Sequence, residues 1–460
     1  MSCDDCTRSN RSRRAVAEAG YGLPEIEPGM PMPAGTGLTR RAFVSKTAGL
    51  ALAVYGGAPL VAQAFDEGIA NASEAAAASG RVLVSVFLAG GIDSLSVLFP
   101  AGEQNYYSLR PTLALGQGTG IQYTGDPRLR WNQAASGLAT LHGEGKVSVL
   151  PAIGYANSDQ SHFTSRHYWE VGATDPTLRT GWLGRFLDYA GTIDNPLQGL
   201  CLDTALQPSL ATTKVPVATI QAADQYTFSY TGLPSHPLES SIFQEAANLG
   251  AAHANSADVG LRTAGKIALN SHELAHSLNP FGYGFKTPVA YPASSDSFPH
   301  RLASLAAMIA TGLPLKAVSI TAPGSYDTHA TQAASLNKNL QLTSDSLLAF
   351  QRDLEARGVA DRVLVHVWSE FGRRVAENGS QGTDHGSAGL GFLIGTQVNG
   401  KQLGAYPGLS AGGVNSSGNL NPTADFRAIY ASIFEQWFGV DSNRFLPNVA
   451  AYERPILLKS

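Results

Sequence analysis

The chain has 460 residues, 43% of them hydrophobic and 15% charged, with 49 Gly and 25 Pro. That is enough to build a large core, either as one big α/β domain with long loops or as two smaller ones. A net charge of -4 gives no basis for nucleic acid as a partner.

The first eighty residues read as a leader rather than as fold. Thr39-Arg40-Arg41-Ala42-Phe43-Val44-Ser45-Lys46 is followed by a Gly/Ala-rich apolar run from Thr47 to Leu60 and by Ala62-Gln63-Ala64. Paired arginines, a mildly apolar core and a small-x-small site make a twin-arginine signal, which sends folded proteins through the twin-arginine translocase. The run is too short and too rich in glycine to span a membrane. The expected division is residues 1–64 as signal and leader, 65–80 as a flexible linker and 81–460 as one domain, periplasmic or extracellular. Cys3 and Cys6 would leave with the signal, so Cys201 alone remains and no intramolecular disulfide can form.

The aliphatic run Arg81–Leu88 predicts a central strand that ends in Ala89-Gly90-Gly91-Ile92-Asp93. Asp93 there is either a helix cap or a ligand at a strand's carboxyl end. A helix over Gln133–Leu141 and a strand over Lys146–Leu150 lead to Asn157-Ser158-Asp159-Gln160-Ser161-His162-Phe163-Thr164-Ser165-Arg166. Ser158 or Ser161 at the start of a helix, with His162 and Arg166 one turn apart, would suit a nucleophile or an anion-binding group. A capped surface helix is the plainer alternative.

Gly181–Leu187 predicts a packing helix, and about 196–296 an insertion or cap, with short strands and turns over 196–236 and a long Ala-rich helical pattern over 238–280. Helix Phe298–Thr311 and strand Ala317–Thr321 follow, then Ser325-Tyr326-Asp327-Thr328-His329 and a helix over Ala330–Ala356. The β-branched run Val363–Trp368 reads as a buried strand ending in Ser369-Glu370-Phe371-Gly372-Arg373, with Thr383-Asp384-His385-Gly386 beyond it. Strand Leu390–Ile394 and helix Ala424–Gly439 complete the alternation, which predicts a mostly parallel central sheet flanked by helices. Asp93, Asp327, His329, Glu370, Asp384 and His385 then gather at the carboxyl edge as candidate metal ligands.

In order, the twin-arginine leader, LAGGIDSLS, SHFTSRHYWEVG, GWLGRFLD, SYDTHA, SEFGRR, TDHG and TADFRAIYASIF resemble an exported bacterial family, domain of unknown function fifteen-zero-one. That family is placed in the alkaline phosphatase/sulfatase superfamily. The resemblance implies a metal-dependent hydrolase of phosphate or sulfate esters. Asp93 would serve one metal and Asp327, His329 and His385 another, with Ser158 or Ser161 as nucleophile and Arg166 or Arg373 clamping the anion. Two departures stand out: Asp327 and His329 are two residues apart where the superfamily has four, and Glu370-Phe371 replaces its Asp-His pair. The oxygen-rich set of Asp93 and Glu370 would suit magnesium, calcium or manganese, and the histidine set zinc or manganese. The competing expectation is a non-catalytic protein holding an anion or a glycan in a degenerate hydrolase pocket.

Overall fold

The computed structural model describes residues 52–53, 80–192, 195–223, 236–282 and 284–459. Its central sheet contains β1 (Val82–Phe87), β2 (Val147–Gly154), β3 (Gly199–Cys201), β4 (Val217–Thr219), β5 (Ala317–Thr321), β6 (Val363–Trp368), β7 (Gly389–Ile394) and β8 (Ala424–Asp425). They lie in the order β4-β3-β5-β1-β6-β7-β2-β8, and every one of these pairings is parallel except those of β7. The mostly parallel sheet expected from the strand–helix rhythm is therefore present.

Both faces of the sheet are covered, and for that reason β1 and β6 are aliphatic along their length. Val82, Val84 and Val86 enter one core, with Leu138 of α1 (Ser136–Gly143), Leu302 of α6 (Phe298–Ala310) and Leu347 of α7 (Gln332–Ala356). Leu83 and Phe87, on the opposite face by the two-residue period of a strand, enter a second core. That core holds Trp169 of α2 (Thr164–Val171), Trp182 of α3 (Trp182–Ala190) and Tyr430 of α8 (Phe426–Ser432). Trp169 stacks on Trp368 at 5.7 Å and on Phe426 at 4.6 Å.

Two features depart from expectation. The short strands expected at the start of the stretch read as an insertion include β3 and β4, which belong to the central sheet. Beyond them the expected helices form a hairpin, from α4 (His236–His253) and α5 (Val259–Leu278). Its helices meet where Gly250 and Gly265 approach each other's backbone carbonyls. Second, Leu52–Ala53, inside the expected leader, pairs antiparallel with the outer edge of β4. Arg40 and Arg41 lie outside the described residues.

The sheet's direction decides where chemistry can gather. The loops after β1, β5 and β6 leave the carboxyl edge together. β7 runs the other way, so the loop that precedes it emerges at that same edge and brings His385 with it.

Candidate metal centre

After β5 the chain bends at Gly324, at φ +71°, and turns tightly about Asp327, where the Thr328 N–H donates to the Tyr326 carbonyl at 3.0 Å; α7 begins only at Gln332. The turn brings Asp327 and His329 together, His329 Nε2 lying 3.0 Å from Asp327 Oδ1, while Thr328 is buried. Tyr326 anchors the loop: it is fully buried, its N–H donates to the Ala89 carbonyl at 2.8 Å, and its hydroxyl lies 3.0 Å from that of Thr343. Gly90 makes this approach possible. It sits at φ +117°, and a Cβ there would stand 2.3 Å from the Asp327 nitrogen.

Three imidazoles converge on the Asp327 carboxylate. His329 Nε2 is 3.0 Å and His385 Nε2 3.3 Å from Oδ1, and His162 Nε2 is 3.5 Å from Oδ2. The two nearer nitrogens, of His329 and His385, are themselves 3.0 Å apart. Each ring is held from behind at Nδ1: His162 by Glu370 Oε1 at 2.9 Å, His385 by the Gln160 carbonyl at 2.8 Å, and His329 by Asp384 Oδ1 at 3.4 Å. Carboxylates and carbonyls only accept, so His162 Nδ1 and His385 Nδ1 each donate, and in the neutral form of either ring the Nε2 lone pair faces inward. Such outer partners commonly fix the tautomer of metal-bound histidines.

Converging lone pairs on a carboxylate call for a cation. Arg373 supplies one, with Nη2 at 2.5 Å from Asp327 Oδ1 and Nη1 at 3.3 Å from His329 Nε2. A proton is another: burial opposes charging His162, but the neighbouring carboxylates of Asp327 and Glu370 overcome it and push the ring up to about 9. Burial, with the nearby charges of Arg373 and His162, holds His385 below its ordinary value. Burial also opposes ionising Asp327, yet its histidine bonds and the Arg373 charge keep it well below the usual carboxylate range.

A metal ion is the third such cation, and His162, Asp327 and His385 are a group that could hold one, with ligand atoms all within 4.8 Å of one another. Around tetrahedral zinc, with bonds of about 2.0–2.1 Å, neighbouring ligand atoms stand about 3.3 Å apart. The 3.0, 3.0, 3.3 and 3.5 Å separations among His329, His385, His162 and Asp327 sit close to that spacing. His162 Nε2 is moreover buried without a hydrogen-bond partner, Asp327 being only at ion-pair range. The residues present therefore fit a divalent ion bound through imidazole.

The remaining expected site residues are placed differently. Asp93 is closed off by Arg110, whose Nη1 and Nη2 reach its oxygens at 2.6 and 2.8 Å, and by Ser96 and Gln332. Its burial disfavours charge, but Arg110 holds its carboxyl below the ordinary value. Glu370 accepts N–H groups from Gly90 and Gly91 and the Ser369 hydroxyl, so its second role is to orient His162 rather than to bind an ion. Asp384 is half-exposed and receives Asn378 at 3.0 Å. The oxygen-rich second site of Asp93 and Glu370 is thus not assembled.

Arg373 is fully buried and donates to the carbonyls of Gly90, Gly91, Tyr326 and Thr383, so it ties loops together instead of facing an outside anion. Arg166 pairs with Glu170 at 2.8 Å and Gln207 at 3.0 Å but keeps its side chain 33% exposed. The helix after the Ser/His segment starts at Thr164, later than expected. Ser161 instead forms a turn, its hydroxyl accepting the Phe163 N–H at 3.2 Å, between Gln160 and His162, which both reach the centre. Ser158 precedes it, beside the Tyr155 hydroxyl. Arg110, Gln160, Gln332 and Asn378 were not legible beforehand, because an amide, a carbonyl and a distant arginine carry no spacing signal.

The match that decides the family is to the one described as Protein of unknown function (DUF1501), over residues 179–449. The chain belongs to that family. No curated protein sequence matches it. Among solved structures it is distantly similar to the PsFucS1 sulfatase from Pseudoalteromonas sp., at 12% identity and a TM-score of 0.35 over 86% of this chain and 77% of that one. It is similar, too, to the soluble domain of lipooligosaccharide phosphoethanolamine transferase A from Neisseria meningitidis, at 11% identity and a TM-score of 0.35 over 89% and 96% of the two chains. A protein in the alkaline phosphatase superfamily from Vibrio parahaemolyticus is similar at 7% identity and a TM-score of 0.32 over 84% and 78%.

Proposed function

We propose that this DUF1501 chain is an exported metal-dependent hydrolase acting on a phosphate or sulfate ester. The observation that carries the reading is the convergence of three Nε2 atoms, each from a ring fixed at Nδ1, on the single carboxylate of Asp327. His162, Asp327 and His385 would hold the ion, with His329 beside them; imidazole donors favour zinc over magnesium or calcium, and the Asp327 carboxylate admits manganese. When bound, such an ion supplies Lewis acidity toward an ester oxygen. Ser161, between two residues that touch the centre, is the candidate nucleophile, and Arg166, a third exposed, is the candidate partner for the anionic group. The ester class itself comes from the motif resemblance.

The test is metal content followed by turnover. The mature protein purified folded should carry about one zinc or manganese ion per chain, and it should hydrolyse an aryl phosphate or aryl sulfate. Ser161→Ala should abolish turnover while retaining the metal. A native protein without metal, inert on both esters, would end the hydrolase reading. It would favour the second one, which rests on the short Arg373–Asp327 contact: an internal arginine-centred ion network beneath a non-catalytic anion- or glycan-binding pocket.

A further inference from the structure

Behind the centre lies a second, buried layer that touches none of the inward-facing nitrogens. Gln332, the first residue of α7, is wholly buried. Its Nε2 donates to Asp93 Oδ2 at 2.5 Å and to Ser96 Oγ at 3.1 Å. Its Oε1 accepts from Thr328 Oγ1 at 2.9 Å and from Thr383 Oγ1 at 2.6 Å. All four hydrogen-bonding positions of the amide are in use, and Asp93, which only accepts, decides which end is nitrogen.

The two threonines make this arrangement consequential. Thr328 stands between Asp327 and His329, and Thr383 stands two residues before His385. One side-chain oxygen therefore links the loop after β5 to the loop before β7, and these loops carry three of the four inward-facing groups. Asp93 is fixed in turn by Arg110, which also donates to the carbonyls of Arg374 and Val375, just beyond Arg373. Only a carboxamide has this polarity, and asparagine is a methylene shorter. A glutamate would set a like charge against Asp93, and an apolar residue would leave the Thr328 and Thr383 hydroxyls without this acceptor.

We propose that Gln332 is a positioning residue that holds the His329 and His385 loops in register for cation binding, through Thr328 and Thr383. The inference rests on the metal reading above, and it deepens that reading by assigning the element that sets ligand spacing. Outer hydrogen bonds of this kind typically change metal affinity by about 10–100-fold.

The experiment titrates Zn²⁺ into the metal-stripped mature protein against a competing chelator and, in parallel, follows unfolding of the metal-free protein. Thr383→Val and Gln332→Met should each weaken Zn²⁺ binding by about 10–100-fold. Thr383→Ser, which keeps the hydroxyl, should restore affinity to within about threefold of the parent. Gln351→Met serves as control: Gln351 is buried on the same helix and bonded to Glu355 at 2.9 Å, far along α7 from the threonines. It should lower stability without moving Zn²⁺ affinity. Thr383→Val removes a single hydroxyl and keeps the test open if Gln332→Met fails to fold. Parent-like affinity in Thr383→Val, or equal weakening in Gln351→Met, overturns this inference alone. A parent that binds no Zn²⁺ or Mn²⁺ overturns it together with the metal reading.

Discussion

His162 is directed at the centre by a carboxylate that is itself saturated. Glu370 accepts from the N–H groups of Gly90 and Gly91, from the Ser369 hydroxyl and from His162 Nδ1, and it has no lone pair left for an ion. Glu370→Gln would keep an acceptor for the glycines but face His162 Nδ1 with an N–H, favouring the wrong tautomer. Zinc affinity should fall by about 10–100-fold, measured by chelator competition; unaltered affinity would mean that Glu370 does not orient the ring. Acids and imidazoles at strand ends were legible for Asp327, His329 and His385, because the end of β5 and the approach to β7 place them by chain direction. The switch of Glu370 from ligand to orienting group was not legible, since it depends on two backbone N–H groups arriving 280 residues away in sequence. His366, in the middle of β6, shows the opposite case of a histidine with no chemical partner. Both of its nitrogens lack hydrogen bonds among the described residues, it faces the rings of Trp182 and Tyr430, and burial pushes it down to about 3. The folded state thus resists protonation that the unfolded chain accepts below about 6.5. Stability contributed by this site is intact above that pH and lost progressively as pH falls toward 3. Between pH 6.5 and 5 the loss is about 2 kcal/mol, and His366→Phe should remove it; urea unfolding of parent and variant at the two pH values checks the difference.

Strands β1, β5 and β6 were read to within a residue, and packing explains why. β1, β5 and β6 are buried on both faces, so their aliphatic runs stop where the burial stops. The late helix read as Ala424–Gly439 divides into β8, α8 and a π-helical turn over Ile433–Phe438, ended by Gly439 at φ +68°. A π turn fills the same apolar pattern with one residue more per turn, so periodicity does not reveal it. Element ends also decide the site. The loop after β1 reaches Asp327 only because Gly90 has no Cβ and holds a positive φ. Gly90→Ala should cost about 1–3 kcal/mol in backbone strain and displace Asp327 as well. Thermal unfolding and zinc affinity are therefore expected to fall together. A variant with lower melting temperature and parent affinity would show that the two loops move independently.

Over the whole molecule, every described group of the centre and of its supporting layer comes from residue 90 or later, and the first of the central strands in the chain, β1, starts at Val82. Leu52–Ala53 is the one described part of the leader that touches the sheet, pairing with a three-residue edge strand. Cleavage after Ala64 would expose that edge, but a strand so short offers little template for association. Among the described residues, no helix is long and apolar enough to cross a membrane. These facts lead to one prediction about export. If Arg40-Arg41 addresses the folded protein to the twin-arginine translocase, changing both to Lys should leave uncleaved precursor in the cytoplasm, seen by fractionation and mass. That trapped precursor should still fold, and its zinc affinity should match that of the exported chain, because every described group of the centre lies at residue 90 or later. Normal export of the double variant would remove the signal assignment. A mature chain beginning at Phe65 that melts well below the precursor would give Leu52–Ala53 a structural role, and the leader would then be a part of the sheet rather than an address.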